Sequence, residues 1–226
     1  MQFNLASYID HTALKQSTSI SDVDKLCLEA SMENFAAVCI PPKYVAGARK
    51  LLDGSGVKVA TVIGFPLGFS GIDTKVKEIQ DALALRADEL DMVIDLSALK
   101  SGDWKHLEDE IKECLKPVYD AGKVMKVIVE SGMLTDDELL ACCALYGNYD
   151  IDYMKSSTGY ADKGVTVDAV TLMHAHLPRR IGIKASGGIR TYAFAKELID
   201  AGATRLGCSA SMQIMKESRE AGKNNK

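Results

Sequence analysis

No C-x-x-C pair occurs among the six cysteines of this chain, Cys27, Cys39, Cys114, Cys142, Cys143 and Cys208. All six stand in helix-like or strand-like apolar contexts, which predicts reduced, buried thiols and excludes a disulfide framework. Metal-ligand spacing is missing as well. His174 and His176 are two apart in a helical stretch, so they point to different faces and cannot chelate together. No structural or catalytic metal is expected.

No apolar run approaches the roughly 18 residues that a membrane span needs. The opening MQFNLASYIDHTALK has no basic segment leading into an apolar signal region. A cytoplasmic protein without membrane contact is expected. Basic excess is also lacking: the formal net charge is −4, so no global field favours nucleic-acid backbone, and any anion site must be local. No G-x-G-x-x-G follows any strand-like run, which argues against a dinucleotide-binding open sheet. No Pro/Gly/Ser-rich linker divides the 226 residues, so a single domain over 1–226 is expected, with only the polar tail from 217 to 226 set to fray.

What the chain does have is alternation. The short apolar runs YIDHT, AAVCI, VKVATVIGF, ELDMVID, KVMKVIVE, DYMKSS, IGIKASG and TRLGCS are separated by longer segments with helical periodicity. Most of these runs are apolar on both alternating faces, as parallel strands covered on two sides must be. Ser21 is placed to cap one helix, Pro41 and Pro42 suit the first turn of another, and Thr135 with Glu138 makes a capping box. Trp104, Leu107, Ile111 and Leu115 recur at helical spacing and read as a core face. A loose repeat, DAGKVMKVIVE and DAGATRLGCS, ends a helix at Ala-Gly and runs into a strand. Eight such βα units predict an α/β fold of the (β/α)8 TIM-barrel type.

In that fold the carboxyl ends of the strands form the active-site face. Asp91 lies inside ELDMVID, Lys155 ends IDYMK and Lys184 ends IGIK. Side chains alternate along a strand, and the parity that Lys155 shares with Tyr153, and Lys184 with Gly182, lets both lysines point inward. Two ammonium groups confined there are expected to repel, and with desolvation to lower at least one pKa from about 10.4. That would make a lysine nucleophile for a carbonyl substrate, with Asp91 carrying protons. Three small-residue stretches follow late strands: Ser156–Gly159 (SSTG), Ser186–Gly188 (SGG) and Gly207–Ser211 (GCSAS). They predict a phosphate site built from main-chain N–H groups, to which Arg190 adds charge if it does not simply brace its loop.

The motifs IDHTALK, VCIPPKYV, VATVIGFPLG, ELDMVIDLSALKSG, KVIVESGML, DYMKSSTGY and IGIKASGGIRT…AGATRLGCSAS together resemble the deoxyribose-phosphate aldolase family of class I aldolases, from about Tyr8 to Met215. The resemblance implies reversible cleavage of 2-deoxy-D-ribose 5-phosphate to acetaldehyde and D-glyceraldehyde 3-phosphate, in deoxynucleoside breakdown. It implies Lys155 as the Schiff-base lysine, Lys184 as its partner and Asp91 as the proton-relay acid, with no cofactor. Phosphate would lie against Gly159, Gly187, Gly188 and Ser209, with Ser156 and Thr158 in the same binding set. Asp10, Thr12 and Cys39 match pocket-lining positions. The partners implied are phosphorylated sugars and aldehydes, and the assembly a homodimer or homotetramer. The chain departs from the family at Ser156, where threonine is common, at Asp95, where asparagine is common, and in a tail without the tyrosine some members carry. Another Schiff-base barrel and a non-catalytic phosphosugar-binding module are the competing readings.

Overall fold

The computed structural model describes residues 4–224. Eight strands close into a single parallel barrel in chain order, each paired with its sequence neighbours and the last with the first. They are β1 (Ile9–Thr12), β2 (Ala37–Ile40), β3 (Lys58–Ile63), β4 (Glu89–Val93), β5 (Val124–Ile128), β6 (Tyr153–Lys155), β7 (Gly182–Ser186) and β8 (Arg205–Cys208). The helices around them are α1 (Ile20–Glu33), α2 (Val45–Leu51), α3 (Ile72–Ala84), α4 (Leu96–Lys100), α5 (Trp104–Asp120), α6 (Asp136–Tyr146), α7 (Val167–His176), α8 (Tyr192–Asp200) and α9 (Ser211–Asn224). This is the (β/α)8 barrel that the alternation predicts, in one domain.

The local chemistry explains the ends. Thr135 accepts from the Glu138 N–H while the Glu138 carboxylate accepts from the Thr135 N–H, so the expected capping box starts α6. The cap of α1 is Ser19 and not Ser21. Ser19 and Asp22 stand three apart and satisfy each other's backbone N–H, whereas Ser21 already lies inside the first turn. Pro42 opens a 3-10 turn through Tyr44, and the α-helix proper begins only at Val45. In α5, Leu107 and Ile111 are buried and Trp104 and Leu115 pack against the core, as the helical spacing requires.

The expected frayed tail is a helix for most of its length. α9 runs through Asn224; Glu217 accepts from the Tyr192 N–H at 2.7 Å, and Arg219 pairs with Glu33. Arg219 and Glu220 stay exposed to solvent on this helix; residues 225 and 226 lie outside the described residues. No helix among the described residues is long and apolar enough to cross a membrane.

Core packing divides at the barrel wall. The larger cluster lies between strands and helices; a smaller one, Ala37, Cys39, Ala60 and Val62, fills the lumen beside β2 and β3. Beside β4 to β8 the lumen holds the charged residues Glu89, Asp91, Lys126, Lys155, Lys184 and Arg205.

Candidate active site

Strand register brings the charged residues together. Asp91 sits level with Lys126, and Lys155 with Lys184, on neighbouring strands, so alternate inward residues of β4 to β8 form stacked rings of the lumen. Asp91 is the hub. Its Oδ2 accepts from Lys155 Nζ at 2.8 Å and from Lys184 Nζ at 2.6 Å, and its Oδ1 from Lys126 Nζ at 2.7 Å. Lys184 also meets Asp10 Oδ2 at 2.5 Å, Lys126 meets Glu89 at 2.6 Å, and Arg205 joins Asp10 at 2.7 Å. Gly207 on β8 makes room for this: a Cβ there would lie 3.1 Å from Lys184 Cε.

Burial by itself would neutralise these groups, but mutual pairing overrides it. Desolvation works to raise the Asp91 carboxyl, yet Lys126, Lys155 and Lys184 hold it well below the ordinary carboxylate range. Asp10 is held low in the same way by Lys184, Lys126 and Arg205. Desolvation opposes charge on Lys184, yet Asp10 and Asp91 outweigh it and raise its pKa well above the ordinary lysine value. This corrects the expectation of two bare ammonium groups repelling each other. Carboxylates stand between the amines, and Lys184 is a firmly protonated cation.

Taken together, Lys126, Lys155, Lys184 and Arg205 face Asp10, Glu89 and Asp91, four cations against three carboxylates. Lys126 and Lys184 each touch at least two carboxylates, whereas Lys155 meets one oxygen, shared with Lys184. Of these lysines only Lys155 lines the cavity of about 620 Å³ at the strands' carboxyl ends.

Thr12, Thr158, Gly159, Gly187, Gly188, Ser209 and Arg190 line the same cavity. Gly159, Gly187 and Gly188 have φ of 87°, 91° and 82°, a left-handed backbone that turns successive N–H groups toward one side. Among the described residues, no protein acceptor takes the N–H of Gly159, Gly187, Gly188 or Ser209. The first turn of α9 begins two residues after Ser209, adding its own N–H groups.

Of the expected contacts, Ser156, Asp10 and Cys39 lie off the cavity and Thr158 lines it with its polar groups turned away. The Ser156 hydroxyl donates to the Ser186 carbonyl and accepts from the Ser186 N–H, bracing β6 against β7 beneath the cavity. Thr158 lines the cavity wall, but its N–H and hydroxyl both turn to Glu130. Asp10 and Cys39 lie in the sealed lumen. Cys39 Sγ is 3.8 Å from Asp91 Oδ2, and burial pushes its thiol up to about 11. Asp95, a departure from the family pattern, caps α4 by accepting from the Ser97 and Ala98 N–H groups, so its carboxylate has a local structural task.

Sequence reading missed Lys126, Glu89, Arg205, Glu130 and Tyr160. The signal for Lys126 was present: a lysine in the middle of the apolar run KVMKVIVE has no route to water from a covered strand. Tyr160 donates its hydroxyl to the Leu14 carbonyl at 2.6 Å and packs edge-on to Phe65, closing one side of the mouth. Among the described residues, no group of three or more His, Cys, Asp or Glu is arranged to hold a metal ion.

The DeoC/LacD family aldolase pattern matches residues 5–215. A deoxyribose-phosphate aldolase of Thermoanaerobacter sp. (strain X514) is 46% identical over 215 residues, covering 95% of this chain and 96% of that protein. Another, from Thermococcus gammatolerans, is 43% identical over 220 residues, covering 96% and 98%. Among solved structures, the tetrameric deoxyribose phosphate aldolase of Aeropyrum pernix superposes with a TM-score of 0.90 at 32% identity, over 96% of this chain and 92% of that one. Kinship of this extent, on a barrel whose lumen presents one lysine amine to a cavity, leaves one assignment: the chain belongs to the DeoC/LacD family of aldolases.

Proposed function

We propose that this aldolase reversibly cleaves 2-deoxy-D-ribose 5-phosphate to acetaldehyde and D-glyceraldehyde 3-phosphate through a Schiff base on Lys155. The observation that carries the reading is the asymmetry among the buried lysines: Lys155 faces the cavity with one shared carboxylate oxygen, while Lys126 and Lys184 are sealed among several. The cluster sets four cations against three carboxylates, and Lys155 is the lysine of it that a carbonyl in the cavity can reach, so the reading takes its amine as the nucleophile.

The chemistry follows from the geometry. The amine adds to the C1 aldehyde of the open-chain sugar, and loss of water gives an iminium. Withdrawal of the C3 hydroxyl proton then breaks the C2–C3 bond, with the electron pair drawn into the iminium nitrogen to give an enamine. Glyceraldehyde 3-phosphate leaves, C2 takes a proton, and hydrolysis frees acetaldehyde and Lys155. Asp91 Oδ2 lies between Lys155 and Lys184, so a proton can pass from one amine to the other through it. Asp91, held well below the ordinary range, transmits protons without retaining them; Lys184 is the group that holds one. The iminium nitrogen is the electron sink, so the reading needs no metal or cofactor.

The phosphate rests in this reading on the main-chain N–H groups of Gly159, Gly187, Gly188 and Ser209, at the end of the cavity bordered by Arg190. The chain's kinship with deoxyribose-phosphate aldolases supports the same sugar phosphate. Deoxynucleoside breakdown in the cytoplasm is the setting we assign. The tetrameric relative supports a homo-oligomer, which light scattering would test.

Borohydride reduction in the presence of acetaldehyde, followed by peptide mapping, tests the mechanism. The expected result is one reduced two-carbon adduct, on Lys155. An unlabelled Lys155 in an active preparation removes the proposal.

A further inference from the structure

Glu130 is a buried carboxylate that the mechanism above leaves without a task. It follows β5 and has φ 54° and ψ 56°, a left-handed conformation that carries a steric cost for any residue with a Cβ. Two hydrogen bonds enforce it. Val129 N–H donates to the Lys155 carbonyl at 3.0 Å and Ser131 N–H to the Ser156 carbonyl at 2.7 Å, so the chain must turn at Glu130 to keep both. The turn drives the Glu130 side chain toward the loop after β6.

There both carboxylate oxygens accept from the Thr158 N–H, each at 3.2 Å, and Oε2 also accepts from the Thr158 hydroxyl. The Thr158 oxygen in turn accepts from the Tyr160 N–H at 3.0 Å. Because that oxygen is already an acceptor for Tyr160, its own proton points at Glu130. A carboxylate suits this arrangement because it only accepts. Thr158 and Tyr160 are thereby pinned on either side of Gly159, whose N–H is left facing the cavity.

We infer that Glu130 is a positioning residue for phosphate-ended substrates: it clamps Thr158 and, through it, aims the Gly159 N–H at the phosphate. The inference rests on the phosphate reading of that loop. Glu130 does not line the cavity; it reaches the cavity wall through its hydrogen bonds to Thr158, and its one other tie to the site is a weak field at Lys155. In Glu130→Gln the side-chain N–H₂ competes with the Thr158 hydroxyl proton, and one acceptor is lost. Glu130 and Thr158 are both buried, and this burial holds the Glu130 carboxyl above the ordinary glutamate range.

The test compares 2-deoxyribose 5-phosphate with unphosphorylated 2-deoxyribose as substrates for the full-length enzyme. Glu130→Gln is expected to raise KM for the phosphorylated sugar about tenfold and to weaken inhibition by inorganic phosphate equally. The kcat/KM for 2-deoxyribose, its pH profile and borohydride labelling of Lys155 should stay as in the wild type. Thr158→Val should move KM in the same direction and Thr158→Ser restore it, a pair that remains informative if Glu130→Gln fails to fold. Equal losses on both substrates, or a displaced pH profile on 2-deoxyribose, would mean that Glu130 acts on Lys155, and the inference falls. Unchanged KM in both Glu130→Gln and Thr158→Val also overturns it. A wild-type enzyme indifferent to the phosphate group would instead remove the phosphate reading itself, and this inference with it.

Discussion

Two places in this molecule bury a lysine completely against carboxylates, and only one of them reads as an active site. Between α3 and α5, Lys75 Nζ meets Glu110 Oε1 at 2.5 Å and the Val93 carbonyl at 2.7 Å, while Glu110 Oε2 accepts from the Asp95 N–H at 3.2 Å. One cation faces one anion, with main-chain groups taking up the remaining bonds and no opening to a cavity. In the lumen four cations face three carboxylates, and the cluster ends at an amine in a cavity wall. Burial and pairing are common to both. The uneven charge and the exit to a ligand-sized space are not, and those are what chemistry requires.

The sharpest way to break this contrast is to remove one lysine from each place. Lys155→Leu should lower kcat/KM by about 10⁴-fold or more, since no other lysine of the lumen cluster reaches the cavity and Lys15 and Lys25 line it away from Asp91, while the circular dichroism spectrum is retained. Residual turnover above a hundredth of wild type would show that the nucleophile lies elsewhere. Lys75→Met should do the reverse. It strands the Glu110 carboxylate and frees the Val93 carbonyl, a loss of about 3–5 kcal/mol in denaturant unfolding, with kcat near wild type where the protein is folded. The double variant Lys75→Met with Glu110→Leu should recover most of that stability, because no stranded charge remains. A Lys75 variant that is stable but inactive would place this pair in the catalytic machinery and end the comparison.

Most of the barrel was legible in the sequence because hydrophobic periodicity and helix stops are local signals. The lumen was legible only in part. Lys155 and Lys184 stood out at strand ends, where parity gives direction. Lys126, mid-strand in an apolar run, carried a signal of its own, whereas Glu89 and Arg205 begin their strands and each reads singly as an ordinary strand-boundary charge until register stacks them. Register is a property of two strands and is not written in either. The same holds for Ser156 and Thr158: their spacing beside the glycines suggests ligand contact, but Ser186 and Glu130, distant in sequence, claim their hydroxyls. Ser19 is the contrary case, since Ser19 and Asp22 stand at capping-box spacing in plain sight and the choice of Ser21 overlooked it.

Lys184 sharpens the comparison within the lumen itself. Removing its charge turns four cations against three carboxylates into three against three, and takes away the cation that shares Asp91 Oδ2 with Lys155. Lys184→Leu should therefore lower kcat by about 10²- to 10³-fold at neutral pH and recover part of the loss near pH 9. A loss independent of pH would mean that Lys184 serves by position alone.

The smallest effect separates the two places by acid. Asp10 and Asp91 bind protons less readily folded than unfolded, so their stabilisation is complete above the unfolded value near 3.9 and is lost as pH falls through the lower folded values. Glu110 has the opposite sign. Burial holds its carboxyl above the ordinary glutamate range, despite Lys75, so from about pH 4.3 upward to its folded value the folded chain holds more protons and stability declines as pH rises. A tenfold difference in proton affinity between the folded and unfolded carboxyl is worth about 1.4 kcal/mol. Urea unfolding between pH 3 and 7 in 1 M salt, which screens the exposed pairs, should show both limbs in the wild type. Glu110→Gln should shrink the decline above pH 4.3 to the part that Glu130, whose carboxyl burial also holds up, contributes, and leave the acid limb as it was. If the acid limb disappears with it, the two clusters titrate as one system, and the separation of structural from chemical lysines drawn above is wrong.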